Sequence, residues 1–289
     1  MALIDLPSLA RDARAHRTGL GAFNVAHLEN AERFIAAAER ARLPVILQIS
    51  ENAVKYHGAL APIALGTLAA ARAADVGVVV HLDHAESPEL IDEALELGIR
   101  SIMYDGSKLP DDENRAMTRR IVERAHAVGA SVEAELGEVG GKNGVHDPSA
   151  RTDPGDAAQF VADTGVDLLA VAVGSSHAMT TRDARLDEDL IGRIAAAVDA
   201  PLVLHGSSGV SDEGILAAIR AGMTKINIST HLNKAATAAV RESLAGNPGL
   251  VDTRKWFGPG MDASATEMER LLRLLAGRSA APQMVGSEA

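Results

Sequence analysis

Residues 201–230 read PLVLHGSSGVSDEGILAAIRAGMTKINIST and hold the pattern that decides the fold. An apolar run at 201–207 ends in a polar turn, an amphipathic stretch follows at 211–221, and a second apolar run begins at 225. Short runs rich in Val and Ile predict buried strands, and the longer stretch that Ser211 opens predicts a helix. A strand, a helix and a second strand in this order are the repeating unit of a parallel sheet.

The same unit recurs along the chain. Eight apolar runs predict strands at 20–25, 44–50, 76–84, 101–107, 130–137, 167–174, 201–207 and 225–230. The stretches between and after them predict helices at 28–42, 59–74, 88–97, 111–128, 154–164, 187–198, 211–221 and 231–245. Eight such units close a (β/α)8 barrel. An open doubly wound sheet is the competing architecture, but no GxGxxG turn follows the first strand.

The predicted fold class is therefore α/β, a (β/α)8 TIM barrel that forms a single domain over residues 1–278. Residues 4–16 predict a short leading helix, and residues 261–276 predict a trailing one. Residues 279–289, SAAPQMVGSEA, are expected to be a disordered tail. Aromatic residues make up only 2% of the chain, so Ala, Val, Ile and Leu must build the core.

Charge and composition exclude several classes of function. A net charge of −11 opposes binding to nucleic acid. The chain has no cysteine, which rules out disulfides, thiolate metal ligands and a cysteine nucleophile. Residues 1–17 do not resemble a signal peptide, and no apolar run approaches the ~18 residues of a membrane span. We expect a cytoplasmic enzyme.

Reactive side chains fall where the predicted strands end. In a parallel barrel those ends meet at one rim, which carries the active site. The rim residues are Asn24, Ser50, Asp83, His84, Asp105, Glu135, His177, His205, Asn227, Ser229 and Thr230. Strand alternation places His81 on the same face as Asp83 but one layer deeper, so we interpret it as a core histidine. Asp83 and His84 can both face the site only if the strand pleat lapses at His84.

Three of the rim residues are histidines, His84, His177 and His205. A lone histidine at such a position is more often an ordinary hydrogen-bonded residue. Three of them at equivalent strand ends, with carboxylates between them, favour a metal site instead. Neutral imidazoles suit Zn²⁺, and three protein ligands with an open fourth position are the catalytic arrangement.

A small-residue segment, Gly206-Ser207-Ser208, follows the seventh predicted strand and precedes a helix. Such a turn is most often only a loop. In barrels, however, the loops after strands seven and eight commonly bind phosphate through backbone N–H groups. Asn227, Ser229 and Thr230 place further polar groups beside it.

A series of motifs runs in order along the chain. They are GAFNVAHLE (21–29), PVILQIS (44–50), HLDHAES (81–87), SIMYDGSKLP (101–110), SVEAELGEVGG (131–141), TDP (152–154), LAVAVGSSHA (169–178), PLVLHGSSGV (201–210) and KINIST (225–230). From about residue 3 to residue 277, the chain resembles the class II, zinc-dependent ketose-bisphosphate aldolases, the group of fructose- and tagatose-bisphosphate aldolases.

The resemblance implies reversible cleavage of a phosphorylated ketose to dihydroxyacetone phosphate and an aldehyde. It implies that His84, His177 and His205 hold zinc, and that Asp83 takes the proton from the C4 hydroxyl. It further implies that Asp105 and Glu135 either hold the metal ligands in place or form an alternative metal position. The substrate-binding and phosphate-binding residues that it implies are Asn24, Ser50, Ala178, Gly206, Ser207, Ser208, Asn227, Ser229 and Thr230. A monovalent cation (Na⁺ or K⁺) and a homodimer or homotetramer are further implications.

The chain departs from the family pattern at the loop after the fifth strand. That loop usually supplies a carboxylate base for the C1 proton of dihydroxyacetone phosphate, but here residues 140–147 read GGKNGVHD. Glu138, His146 and Asp147 remain as candidate bases. Ser229 stands where fructose-bisphosphate-cleaving members often carry Asp, which argues against fructose 1,6-bisphosphate as the best substrate.

Two alternatives stay open. The altered loop is compatible with a non-catalytic barrel that binds a phosphosugar or supports a partner, although a scaffold has no need of the histidines and Asp83. The other alternative is an aldolase for an unusual substrate such as a deoxy sugar acid phosphate. The apolar segment Trp256-Phe257-Gly258-Pro259 fits a subunit interface and burial in the monomer equally well.

Overall fold

The computed structural model describes residues 2–136, 151–176, 179 and 181–278. Within these residues, eight parallel strands form a closed barrel, which confirms the predicted fold class. The strands are β1 Leu20–Asn24, β2 Val45–Ser50, β3 Val78–Ala85, β4 Ser101–Tyr104, β5 Ser131–Leu136, β6 Leu168–Val171, β7 Leu202–Leu204 and β8 Met223–Ile228. Each strand pairs with its neighbours in the chain, and β1 also pairs with β8 to close the sheet.

Helices of the described residues surround the barrel. They are α1 Leu6–His16, α2 Leu28–Ala41, α3 Glu51–His57, α4 Ala61–Ala73, α5 Pro88–Glu96, α6 Asp111–Ala127, α7 Pro154–Thr164, α8 Glu188–Ala197, α9 Asp212–Ala221, α10 Thr230–Gly246 and α11 Thr253–Leu275. None of these helices is long and apolar enough to cross a membrane. Every predicted helix is present, and the tail at 279–289 lies outside the described residues.

Two helices differ from the prediction. Helix α3 was not predicted, because Ser50 is both the last residue of β2 and the N-cap of α3, accepting a hydrogen bond from the backbone N–H of Ala53. No loop therefore separates the strand from the helix. Helix α11 begins at Thr253, ahead of the predicted start at 261, and it includes Pro259, a residue that normally marks a helix end.

The interior of the barrel is apolar at one end and polar at the other. Helix α1 closes the amino-terminal end, where Leu6 and Ala10 pack on inward-facing strand residues such as Ile46 and Val79. Towards the carboxyl ends of the strands, the inward positions carry buried polar and charged residues. These are Gln48, His81, Asp83, Glu133, Glu135, Lys225 and Asn227. The barrel thus has one closed end and one reactive end.

Candidate active site

Strand β3 brings two consecutive residues, Asp83 and His84, to the same site. The pairing register between β3 and β4 shifts between Leu82 and Ala85, and the backbone of His84 has a φ of 49°. A left-handed conformation is rare for a residue other than glycine and costs of order 1–3 kcal/mol. The expected lapse of the pleat is thus a bulge within the strand, and it turns His84 towards the face that Asp83 occupies.

Imidazole and carboxylate groups converge at this point. The potential ligand atoms of Asp83, His84 and His205 lie within 4.8 Å of one another, and those of His84, Asp105 and Glu135 form a second such group. His84 Nδ1 lies 2.8 Å from Asp105 Oδ2, and the rings of His84 and His205 have their centroids 4.5 Å apart. Nitrogen and carboxylate oxygen donors at this spacing fit a divalent cation such as Zn²⁺.

His205 is fully buried between two carboxylates. Its Nε2 lies 2.9 Å from Glu133 Oε1, and its Nδ1 lies 3.2 Å from Glu135 Oε2. Burial alone would lower the pKa of His205, but the contacts with Glu133 and Glu135 raise it to about 9. A metal ligand must be a neutral imidazole, so a cation at this position competes with a proton. His177 and Ala178 lie outside the described residues.

His81 lies in the core, as its position in the strand predicted. Its side chain is fully buried, and its Nδ1 lies 2.8 Å from Ser101 Oγ. Burial lowers the pKa of His81 to about 3, with Lys225 adding to the effect, so the ring is neutral. Its Nε2 has no hydrogen-bond partner among the described residues and lies 3.8 Å from Glu133 Oε2.

A cavity of about 500 Å³ opens above these residues. Predicted site residues that line it are Asn24, Ser50, Asp83, His84, Asp105, Gly206, Ser207, Ser208, Asn227, Ser229 and Thr230. The cavity also includes residues that the sequence analysis missed, namely Gln48, Glu51, Asn52, Lys55, Glu86 and Lys108. Strand alternation could have indicated Gln48, because it lies two residues before Ser50 on the inward face of β2. Glu138, His146 and Asp147 lie outside the described residues.

The loop Gly206-Ser207-Ser208, here called the cradle, forms part of one wall of the cavity. Gly206 has a φ of 66°, and a Cβ at this position would lie 2.6 Å from the carbonyl carbon of Ser176. Only glycine therefore fits where the two loops approach each other. Ser207 Oγ donates to the carbonyl oxygen of Asn227 at 2.5 Å, and Ser208 Oγ accepts from the backbone N–H of His231 at 3.2 Å. These bonds tie the loop after β7 to the end of β8 and the start of α10.

An ionic network supports this cradle from outside. His231 Nε2 lies 2.7 Å from Glu267 Oε1 on α11, and Arg270 donates to both Glu267 and Asp212. Arg182 also donates to Asp212, at 2.7 Å, and to the carbonyl oxygen of Val210 at 2.8 Å. The network therefore connects the loops after β6, β7 and β8 to helix α11.

Sequence and structure comparisons agree with this geometry. A family model described as class-II fructose-bisphosphate aldolase matches residues 5–279. The chain belongs to this family. It is thus an aldolase, a carbon–carbon lyase of the aldehyde-lyase type, which confirms the predicted activity. Members of the family are generally metal-dependent.

Individual relatives cover nearly the whole of this class II aldolase. It is 41% identical to the fructose-bisphosphate aldolase of Thermus caldophilus, over 88% of this chain and 92% of the relative. It is 36% identical to the 6-phospho-5-dehydro-2-deoxy-D-gluconate aldolase of Bacillus licheniformis, over 94% of both chains. Among solved structures, the YdjI aldolase from Escherichia coli K12 matches with a TM-score of 0.84 and 34% identity, over 94% of this chain and 97% of that chain.

The network around Glu267 predicts a dependence of stability on pH. Burial would raise the pKa of Glu267, but its hydrogen bonds with His231 and Arg270 lower it from 4.5 to about 2. A carboxyl with a lowered pKa stabilises the fold above its unfolded pKa, and this contribution is lost as pH falls from 4.5 towards 2. Because Glu267 is partly exposed, solvent reduces this effect, and we expect Glu267 to contribute about 1–2 kcal/mol to the free energy of unfolding at pH 7.

Urea unfolding of wild type and Glu267→Gln at pH 7 and pH 3 measures this contribution. The variant should be less stable than wild type at pH 7, and the difference should shrink at pH 3. Glu242→Gln, on an exposed part of α10, is the matched control and should leave stability unchanged at both pH values. A difference between wild type and Glu267→Gln that is the same at both pH values would contradict the prediction.

Proposed function

We propose that this aldolase reversibly cleaves a phosphorylated ketose, of the ketose 1,6-bisphosphate type, to dihydroxyacetone phosphate and an aldehyde. The observation that supports the proposal is the position of Asp83 beside His84 and His205, next to a cavity whose wall includes the Gly206-Ser207-Ser208 cradle. A proton acceptor, a set of metal ligands and a phosphate site are the groups that such a cleavage needs in one place.

The proposed metal is zinc, with His84, His177 and His205 as ligands. The donor set of His84 and His205 beside Asp83 supports this assignment, as does the general metal dependence of the family. Asp105 and Glu135, which lie with His84 in the second donor group, are proposed either to hold the metal ligands in place or to bind a metal ion themselves. When bound, zinc supplies Lewis-acid polarisation of the ketone and stabilises the negative charge that develops on its oxygen.

Asp83 is the proposed proton acceptor for the C4 hydroxyl. Burial would raise its pKa, but the interactions with His84 and Lys225 outweigh burial and hold the pKa below its ordinary value. The side chain is therefore an ionised carboxylate at neutral pH, ready to accept a proton as the C3–C4 bond breaks. In the condensation direction, it returns that proton to the oxygen of the aldehyde. The loop base stays a prediction among Glu138, His146 and Asp147.

The cradle is the proposed site for the phosphate of dihydroxyacetone phosphate. Gly206 allows the backbone to approach an anion closely, and Ser207, Ser208 and Thr230 lie around it on the cavity wall. We propose Ala178 as a further contact and Na⁺ or K⁺ as a counter-ion there. Asn24, Ser50, Asn227 and Ser229 line the rest of the cavity and are the proposed contacts of the sugar carbons.

The proposed preferred substrate is a phosphoketose other than fructose 1,6-bisphosphate. Ser229 presents a hydroxyl to the cavity in place of the carboxylate expected for that sugar. The relative named 6-phospho-5-dehydro-2-deoxy-D-gluconate aldolase makes a sugar acid phosphate the second candidate. Lys55 and Lys108 also line the cavity, where each is paired with a carboxylate, Glu51 and Glu86 respectively, at 2.8 Å.

The metal assignment predicts the effect of removing one ligand. Purified wild type should bind zinc at one equivalent per chain, and His205→Ala should weaken zinc binding by more than about 100-fold. Plasma emission spectrometry after dialysis against a weak chelator measures zinc content. His126→Ala is the control, since His126 contacts Asp167 away from the site and should leave zinc content unchanged. Full zinc occupancy in His205→Ala would overturn the assignment.

The catalytic assignment predicts that Asp83→Ala retains zinc but has a kcat for aldol cleavage reduced by about 10²–10⁴-fold. We would assay release of dihydroxyacetone phosphate from fructose 1,6-bisphosphate, tagatose 1,6-bisphosphate and 6-phospho-5-dehydro-2-deoxy-D-gluconate. The expected ranking has fructose 1,6-bisphosphate below at least one of the other two. If zinc-loaded wild type cleaves none of them, the non-catalytic phosphosugar-binding barrel becomes the better explanation.

We also propose a homodimer or homotetramer. Tyr56 is 72% exposed, and it forms an aromatic patch with His27, Trp256 and Phe257, whose neighbouring rings have centroids 5.1–6.0 Å apart. Trp256 and Phe257 are half-buried, which leaves part of each ring at the surface. Aromatic side chains of this kind are enriched at interfaces.

The cytoplasmic location expected from the sequence stays a prediction.

Sedimentation velocity tests this assembly. Wild type should sediment at two or four times the chain mass of 30.1 kDa, and Tyr56→Ser with Trp256→Ala should shift it towards the monomer. Val251→Ser, at an 89% exposed position outside the aromatic patch, is the control. A monomeric wild type at micromolar concentration would refute the proposal, and an unchanged oligomer in the double variant would exclude the aromatic patch as the interface.

A further inference from the structure

Lys225 is a fully buried lysine that the proposed chemistry does not use. It lies on β8 two residues before Asn227, so both side chains extend from the inward face of the strand. Its ammonium contacts Glu133 Oε2 at 2.9 Å and donates to Asn227 Oδ1 at 2.8 Å. An ammonium group away from water is costly unless it is paired and hydrogen-bonded, and the contacts with Glu133 and Asn227 meet that requirement.

The contact with Lys225 determines how Asn227 is oriented. An amide has one accepting end and one donating end, whereas an ammonium group can only donate. The carbonyl oxygen of Asn227 must therefore face Lys225, and its NH₂ group then faces Asp83, where Nδ2 lies 3.3 Å from Oδ1. The carboxylate of Asp83 can only accept hydrogen bonds, so Lys225 and Asp83 favour the same orientation of the Asn227 amide.

Glu133 extends this chain of contacts to the histidine at the site. One oxygen of Glu133 contacts Lys225, and the other lies 2.9 Å from His205 Nε2. The chain of contacts thus runs from His205 through Glu133, Lys225 and Asn227 to Asp83. Its members are no more than 8% exposed. It links Asp83, the proposed acceptor of the C4 proton, to His205, a proposed metal ligand.

We propose that Lys225 is a positioning residue for proton transfer: it holds the amide of Asn227, and the amide holds the carboxylate of Asp83 in line with the substrate hydroxyl. The inference rests on the proposed role of Asp83. Small displacements of a catalytic group lower the rate much more than they lower binding, because alignment matters most in the transition state. Lys225 therefore affects kcat, and it does so through Asn227.

The rival explanation is that Lys225 only neutralises Glu133. In that case its removal would disturb the barrel or the metal site whatever residue stands at 227. The two explanations predict different results for a double-mutant cycle, which measures the coupling between two residues. We would compare wild type, Lys225→Met, Asn227→Ala and the double variant, using the substrate of the panel that wild type cleaves fastest. Zinc content and unfolding are measured on each protein.

Lys225→Met should lower kcat by about 10–100-fold, with KM within about twofold of wild type and zinc retained. In the Asn227→Ala background, the same substitution should lower kcat by less than about twofold. Thr224→Val is the matched control, a nearly isosteric change at the adjacent buried residue of β8, and should leave kcat unchanged. Equal reductions by Lys225→Met in both backgrounds, or none in either, would overturn the inference.

Lys225→Met leaves the carboxylate of Glu133 without its ammonium, which could prevent folding. The cycle is then repeated in a Glu133→Gln background, where the loss of Lys225 does not leave a buried charge, and the same criteria apply. Asp83→Ala separates the two proposals. If Asp83→Ala is as active as wild type, the proposed role of Asp83 fails. If it is inactive while Lys225→Met has the wild-type kcat, only the inference about Lys225 fails.

Discussion

Closure of the parallel sheet is the constraint on which the rest of the structure depends. Because β1 pairs with both β2 and β8, all eight strands direct their carboxyl ends to one rim. Asp83 on β3 and Asn227 on β8 come within hydrogen-bonding distance across the barrel only for this reason. Helix α1 fills the opposite end with apolar side chains, so the polar interior opens in one direction only.

The polar interior depends on charge compensation. Glu133, Lys225 and His205 are fully buried, and each has at least one partner of complementary chemistry. Burial would raise the pKa of Glu133, but Lys225 and His205 hold it well below the usual range, so the carboxylate stays charged. Such groups contribute little net stability compared with apolar residues of the same size, and their value lies in fixed geometry.

The sequence predicts the strands and most helices correctly because apolar runs and amphipathic stretches alternate without interruption. It does not predict α3, since Ser50 ends a strand and caps a helix at once. The positions of the predicted strand ends indicate which residues lie at the rim, but they do not indicate that Glu133 pairs with Lys225. Periodicity shows that a residue faces inward, whereas the partner it meets depends on strand tilt and register around the closed barrel. Those are properties of the whole sheet rather than of any local segment.

The bulge at His84 has a consequence for how precisely the site can be built. The separation of residues on different strands depends on the tilt and register of the whole sheet. Asp83 and His84 are joined by a single peptide unit, so covalent geometry limits how far the proposed proton acceptor can move relative to its neighbouring ligand. The strained backbone conformation at His84 accompanies this arrangement. The loops after β7 and β8 are then able to diverge towards new substrates without altering that spacing.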